Sequence, residues 1–226
     1  MYAPLLAIIG GTVLLLSVIP WRYQWRRSDW LQLLWVYLFV SIPFVIVDSI
    51  SHARGWWAYS ADQVGAVTFL GLPIEECLFF FVIPFACLYL FSAMQRLKVL
   101  KIEIQKHWVY VALLLAVSSA GIIAVMQPLE RTVVDAVLFA AVVGVFIGVR
   151  PRLTRAFAIW VFAVIILFYV TNSILTVIPI VTYDHAFGSA IRVGPVPIED
   201  CWYNFSLLLS AWLVWSRRGT YRPLPY

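Results

Sequence analysis

Seven runs of apolar residues, at 3–20, 30–50, 67–92, 109–126, 132–149, 156–181 and 193–215, take up most of this 226-residue chain. Each has about the length a helix needs to cross the hydrocarbon of a bilayer, roughly 20 residues. The connections between them are short, so no separate soluble domain is left. Composition agrees: 63% of residues are hydrophobic, 12% are charged, and mean hydropathy is +0.92. A soluble domain is charged at about one residue in four. A water-soluble globule is therefore excluded, and the reading is an all-α integral membrane protein of seven transmembrane helices.

Charge orients the bundle. Arg22, Arg26 and Arg27; Arg96, Lys98, Lys101 and Lys106; Arg150, Arg152 and Arg155; and Arg217, Arg218 and Arg222 are 13 of the 16 lysines and arginines, and they fall in alternate connections. Arg54, Arg131 and Arg192 fall in the others. The positive-inside rule then places the N-terminus outside and the C-terminus in the cytoplasm of a multi-pass cell-membrane protein. The net charge of +5 is thus a matter of topology, and the expected neighbour is membrane lipid, not nucleic acid. The first run follows Met1-Tyr2-Ala3 with no basic region or small-residue cleavage site, and reads as a retained helix. Cys77, Cys87 and Cys201 lie in apolar runs without CxxC or Cys/His spacing, so neither a disulfide framework nor a metal site is expected.

An internal register recurs. Asp48, Tyr59 and Pro73-Ile74-Glu75-Glu76-Cys77 match Asn172, Tyr183 and Pro197-Ile198-Glu199-Asp200-Cys201, each pair 124 positions apart. Such a shared register reads as a duplicated unit. The second and third runs correspond to the sixth and seventh, so both copies point the same way across the membrane. The expected architecture is 3+1+3, two parallel repeats about an axis near the membrane normal. Residues 1–92 form the first repeat, 93–131 a linker with the fourth helix, and 132–226 the second repeat.

Acids inside the runs are the chief chemical signal, because a carboxylate near the middle of a membrane helix costs roughly 2.5–3.5 kcal/mol on insertion scales. Glu75, Glu76, Glu199 and Asp200 stand about six to nine residues into their runs. Successive helical residues diverge by about 100°, so one acid of each pair can face the bundle interior. The preceding proline either starts a helix after a non-helical Phe69-Leu70-Gly71-Leu72 or kinks a continuous one. A purely structural role, with the acids paired to Arg54 or Arg192 or to polar groups of neighbouring helices, is the alternative to a functional one. Asp48, Asn172 and Asp135 stand at run ends, and for Asp135 an interfacial position is the preferred reading.

Aromatic residues crowd the acids: Trp56, Trp57, Tyr59, Phe79, Phe80 and Phe81, then Tyr183, Trp202, Tyr203 and Phe205. Within a turn of a buried acid, their π faces can stabilise a cation that water cannot reach. Trp21, Trp25, Trp108 and Trp215 read instead as the interfacial belt. No dinucleotide fingerprint, Walker A, G-x-S-x-G or HExxH is present, and no cofactor is implied. The only lysines are Lys98, Lys101 and Lys106, so no run offers the Schiff-base lysine of a retinal protein.

At Gly71-Leu72-Pro73-Ile74-Glu75-Glu76-Cys77-Leu78-Phe79-Phe80 and Gly194-Pro195-Val196-Pro197-Ile198-Glu199-Asp200-Cys201-Trp202-Tyr203 the chain resembles the membrane-integral lycopene (carotenoid) cyclases, in their fused two-copy form. Asp48 with Gly55-Trp56 and Tyr59, and Asn172 with Pro179-Ile180-Val181-Thr182-Tyr183 and Arg192, extend the likeness along nearly the whole chain. The resemblance implies a lipophilic polyene substrate, lycopene, cyclised to β-carotene through γ-carotene without redox change. Such chemistry needs a neutral acid beside a base in a dry site. Burial disfavours the ionised carboxyl, and two neighbouring carboxylates cannot both ionise cheaply. Glu75 and Glu199 are expected as principal acid and base, with Glu76 and Asp200 tuning them. Trp56, Tyr59, Phe79, Phe80, Tyr183, Trp202, Tyr203, Asp48 and Asn172 are expected to line the substrate site. A cyclase for another acyclic end group (C50, ε or γ ring) and a small parallel-repeat transporter are the alternatives. The oligomeric state, homo-oligomer included, stays open.

Overall fold

The computed structural model describes Gly11, residues 27–97 and residues 100–218. Apart from Gly11, the expected helix at 3–20 lies outside the described residues, as do Trp21, Arg22, Trp25, Arg26, Lys98 and Arg222. Six long helices make up most of what is described: α1 (Arg27–Ala53), α2 (Ile74–Arg96), α3 (Lys106–Met126), α4 (Glu130–Val149), α5 (Arg155–Val177) and α6 (Ile198–Arg218). The first five are long and apolar enough to cross a membrane. The chain is thus a mostly helical membrane protein. It is not purely α, because six short strands stand between the helices: β1 (Trp57–Tyr59), β2 (Thr68–Phe69), β3 (Leu72–Pro73), β4 (Val181–Tyr183), β5 (Arg192–Val193) and β6 (Val196–Pro197).

These strands correct two of the expected runs. Residues 67–73 and 193–197 are not helical; they form the hairpins β2–β3 and β5–β6. A four-residue apolar stretch does not distinguish strand from helix, and the turn chemistry decides. Leu70 and Gly71 both take positive φ, 53° and 82°, which a two-residue turn of this hand requires, and Gly194 takes 61° at the first turn position of the second hairpin. Each hairpin ends in a proline with the helix beginning at the next residue; Pro73 is extended at φ −54°, ψ 140°. The acids therefore occupy the first turns of α2 and α6, not positions several residues inside a helix.

Strands β1 and β4 pair antiparallel, with Trp57 opposite Tyr183, Ala58 opposite Thr182, and Tyr59 opposite Val181. Ala58 and Thr182 are themselves 124 positions apart. The ladder is centred on this corresponding pair, the flanking pairs Trp57–Tyr183 and Tyr59–Val181 exchange under a local twofold, and the two loops are tied into one layer over the helices.

Helix α1 contains a π turn at Tyr37–Ser41, where Ile42 N–H reaches back to Tyr37 O. Pro43 follows and has no N–H to offer, a common cause of such a bulge. Helix α6 is the hub, packing against α4, α1 and α2, and it buries Leu207, Leu208, Leu209, Ala211, Trp212 and Leu213. That central place explains how it carries two acids and Asn204 without meeting lipid. Helix α3 is its opposite: it leans mainly on α4, buries only Ala120, and turns Trp108, Leu114, Leu115, Ile122 and Val125 outward as a lipid-type surface. Far from the acids, Phe91, Phe146, Phe157, Trp160 and Trp212 interlock, with Phe157 and Trp212 centroids 4.5 Å apart. This apolar plug leaves the polar chemistry at the hairpin end of the bundle.

Candidate active site

The helix pitch decides which acid of each pair faces inward. Glu76 and Asp200 border a cavity of about 650 Å3, counted with its mouth, between α1, α2, α4, α5 and α6. Asp48, Tyr59, Phe79, Phe80, Asn172, Tyr183 and Tyr203 line it as well, so the structure brings together nine of the thirteen residues expected there. The other four lie outside its lining. Glu199 is wholly buried and accepts hydrogen bonds from Thr132 Oγ1 and Ser189 N, both at 2.7 Å. Glu75 is buried with its carboxylate against Gly65, so close that a Cβ there would collide with Oε1. Gly65 and Ser189 are 124 positions apart, so each glutamate holds down the same point of its own loop. Trp56 packs with Leu175 and Ile180 beneath the β1–β4 ribbon, and Trp202 belongs to the main core.

Sequence reasoning missed the group that organises the chamber. Arg131, counted there as a connection charge, sits in the first turn of α4 and is 2% exposed. Its guanidinium donates to Asp200 Oδ1 and lies 3.5 Å from Asp135 Oδ2. It is also sandwiched between rings, 5.2 Å from the Trp57 centroid and 4.8 Å from that of Tyr183. Asp135 is buried, not interfacial, because Arg131 one turn earlier draws it inward. An arginine and an aspartate four apart at the head of an apolar run were the available signal. Arg54 and Arg192 do not pair with the motif acids: Arg54 bonds Glu130, and Arg192 donates to Pro195 O at 2.8 Å.

Two tyrosine–carboxyl pairs line the cavity. Tyr183 donates its hydroxyl to Asp200 Oδ2, and Tyr59 donates to Glu76. Asp48 Oδ2 is buried with no hydrogen-bond partner. Phe80 meets Tyr203 edge-on, centroids 6.3 Å apart, and Tyr203 is anchored by its hydroxyl on Phe44 O at 3.1 Å. Asn204 adds one more polar group, and Phe168, Leu175, Val181 and Leu207 make the remaining walls apolar.

A chamber with aromatic walls, four carboxyl groups and one guanidinium, set among membrane-length helices, defines a membrane protein equipped for acid–base chemistry on an apolar molecule. The chain belongs to the lycopene cyclase family, whose model matches residues 1–94 and 130–216. Membership makes it an enzyme of carotenoid cyclisation with a lipophilic carotenoid substrate. Comparison with curated proteins and with solved structures finds no match.

Proposed function

We propose that this protein is a lycopene β-cyclase of the cell membrane, converting the two acyclic ends of lycopene to β rings through γ-carotene. A neutral carboxylic acid protonates the terminal double bond at C2, leaving a tertiary cation at C1. The C5=C6 bond attacks C1, closes the six-membered ring and moves the charge to C5. Loss of the C6 proton to a carboxylate completes the ring, with no change in oxidation state.

One observation carries the reading: a single buried guanidinium among four lining carboxyl groups. Arginine does not give up its proton in a protein, so one neighbouring carboxylate must balance it. A dry chamber cannot cheaply hold three more negative charges. The favoured state has one carboxylate and three neutral acids, which is a proton store beside a base. Asp200, bonded by both Arg131 and Tyr183, is the carboxylate and the proton acceptor. Glu76, hydrogen-bonded to Tyr59, is the donor, with Asp48 beside it in the lining. Glu75 and Glu199 orient these two by holding the loops.

The rings divide the same way. Arg131 occupies the faces of Trp57 and Tyr183, so the developing cation is left to Phe79, Phe80 and Tyr203. A cation placed there is also kept away from the guanidinium.

The recurrence of β1 in β4, of β2–β3 in β5–β6, and of the α2 start in the α6 start, all at one spacing of 124, supports reading the chain as two copies of one unit. Helix α3 lies in the part the family model leaves unmatched. An added crossing there would let both copies run the same way, giving seven spans with the N-terminus outside and the C-terminus cytoplasmic.

The test is expression in a lycopene-accumulating cell with chromatography of the pigments. Wild type yields β-carotene and a trace of γ-carotene, and Glu76→Gln and Asp200→Asn leave lycopene. Unchanged lycopene with wild type, or full conversion by both variants, overturns the proposal.

A further inference from the structure

Beyond the chamber lies a second, narrow and almost wholly apolar cleft of about 250 Å3, counted with its mouth, that shares Phe79, Phe168 and Asn204 with it. Its other walls come from three helical stripes. Ile83 and Cys87 continue the Phe79 face of α2 at steps of four, Val164, Leu167 and Thr171 flank Phe168 on α5, and Leu208 follows Asn204 by one turn on α6. From Phe79 to Cys87 the slot runs about 12 Å along the helix. Its polar groups are two: the Thr171 hydroxyl is spent on Phe168 O at 3.0 Å, and Asn204 stands where the slot meets the chamber. Trp160 Nε1 donates to Cys87 O at 2.7 Å and pins α5 to α2 at the far end. Val164, Ile83, Cys87 and Leu208 are buried, whereas Leu167 and Phe168 are half-buried and form a rim on the lipid side of α5.

We infer that this slot is the binding site for the hydrocarbon chain next to the reacting end group, and that it sets how far the end group advances among the carboxyls. The inference rests on the reading of the chamber as the cyclisation site. A rigid, slender hydrocarbon rod, branched only by methyl groups, joins an acid chamber to a narrow dry slot without bringing a polar group of its own into it. The carotenoid then passes Phe79 and Phe168, lies along α2, and leaves over the Leu167 rim into lipid. Depth in the slot holds the terminal double bond opposite Glu76.

Filling the slot tests this. The full-length protein is purified from lycopene-accumulating cells, bound carotenoid per protein is read by absorbance, and turnover of lycopene is followed in phospholipid vesicles. Val164→Phe fills the interior and Leu167→Trp the rim; Ile165→Trp, on the exposed face of the same helix, is the control. The two filled variants are expected to lose most bound carotenoid and to raise KM about tenfold or more with a smaller change in kcat, while the control behaves as wild type. If Val164→Phe fails to fold, the half-buried rim variant decides alone. A folded Leu167→Trp that binds and converts lycopene like wild type overturns the slot. Failure of the cyclisation reading looks different: wild type would retain lycopene without converting it, whatever the slot variants do.

Discussion

The two sides of the chamber are built from matching parts and do different things. On one side Tyr59 bonds Glu76 beside Asp48; on the other Tyr183 bonds Asp200 beside Asn172. The second side adds Arg131 and Asp135, whose counterparts 124 positions earlier are Ala7 and Gly11. One arginine thus turns a symmetric pair of acids into a fixed ion pair facing a carboxyl group free of any guanidinium. Two identical half-sites would compete for the same proton. Unlike half-sites can separate donor from acceptor, which is what adding a proton at C2 and removing one at C6 requires.

Breaking the acid side should have the largest effect. Glu76→Gln keeps the shape and removes the proton, and it is expected to slow cyclisation by about 10²–10⁴-fold, while Glu75→Gln, which faces the loop, costs far less. Pigment ratios in a lycopene-producing host check both, and the reverse order would exchange the two roles. Next comes the ion pair. Arg131→Leu leaves the buried Asp200 carboxylate uncompensated and should cost about 3–5 kcal/mol, read from the unfolding of the purified protein in denaturing detergent. Adding Asp200→Leu should restore part of that loss without restoring activity.

Two loop substitutions sharpen the comparison at smaller scale. Gly65→Ala drives a methyl into Glu75 Oε1, whereas at Gly188 the nearest atoms to an added Cβ are Arg131 Cδ at 3.6 Å and Glu199 Oε1 at 3.7 Å. Thermal unfolding should show a loss of about 1–3 kcal/mol for Gly65→Ala and little for Gly188→Ala. Thr132→Val removes one of the hydrogen bonds on Glu199 and should cost about 1 kcal/mol in the same assay.

Much of this was legible in the residues. Apolar length alone located helices α1, α3, α4 and α5 to within about four residues and found α2 with a start seven residues early, because a membrane-spanning segment is a long signal averaged over many side chains. The hairpins were not, since an apolar stretch such as Val67-Thr68-Phe69-Leu70 continues a helical run as well as it makes a strand, and only the positive φ of Leu70 and Gly71 separates them. The motif acids were found from their cost, yet which of Glu75 and Glu76 faces inward depends on where the helix begins. Pro73, placed just ahead of Ile74, sets that phase. Arg131 escaped because a charge at the head of an apolar run reads as a connection residue; its partner Asp200 comes from a helix 69 positions away.

The most direct test is infrared difference spectroscopy of the purified protein at neutral pH, following the C=O stretch that only protonated carboxyl groups show. Protonated-carboxyl absorption is expected in wild type; Glu76→Gln removes the Glu76 band, whereas Asp200→Asn keeps that band and loses the one from Asp135, which ionises beside Arg131 in its place. A spectrum that Glu76→Gln leaves unchanged would contradict the division of the chamber into a proton-bearing side and an ion-paired side.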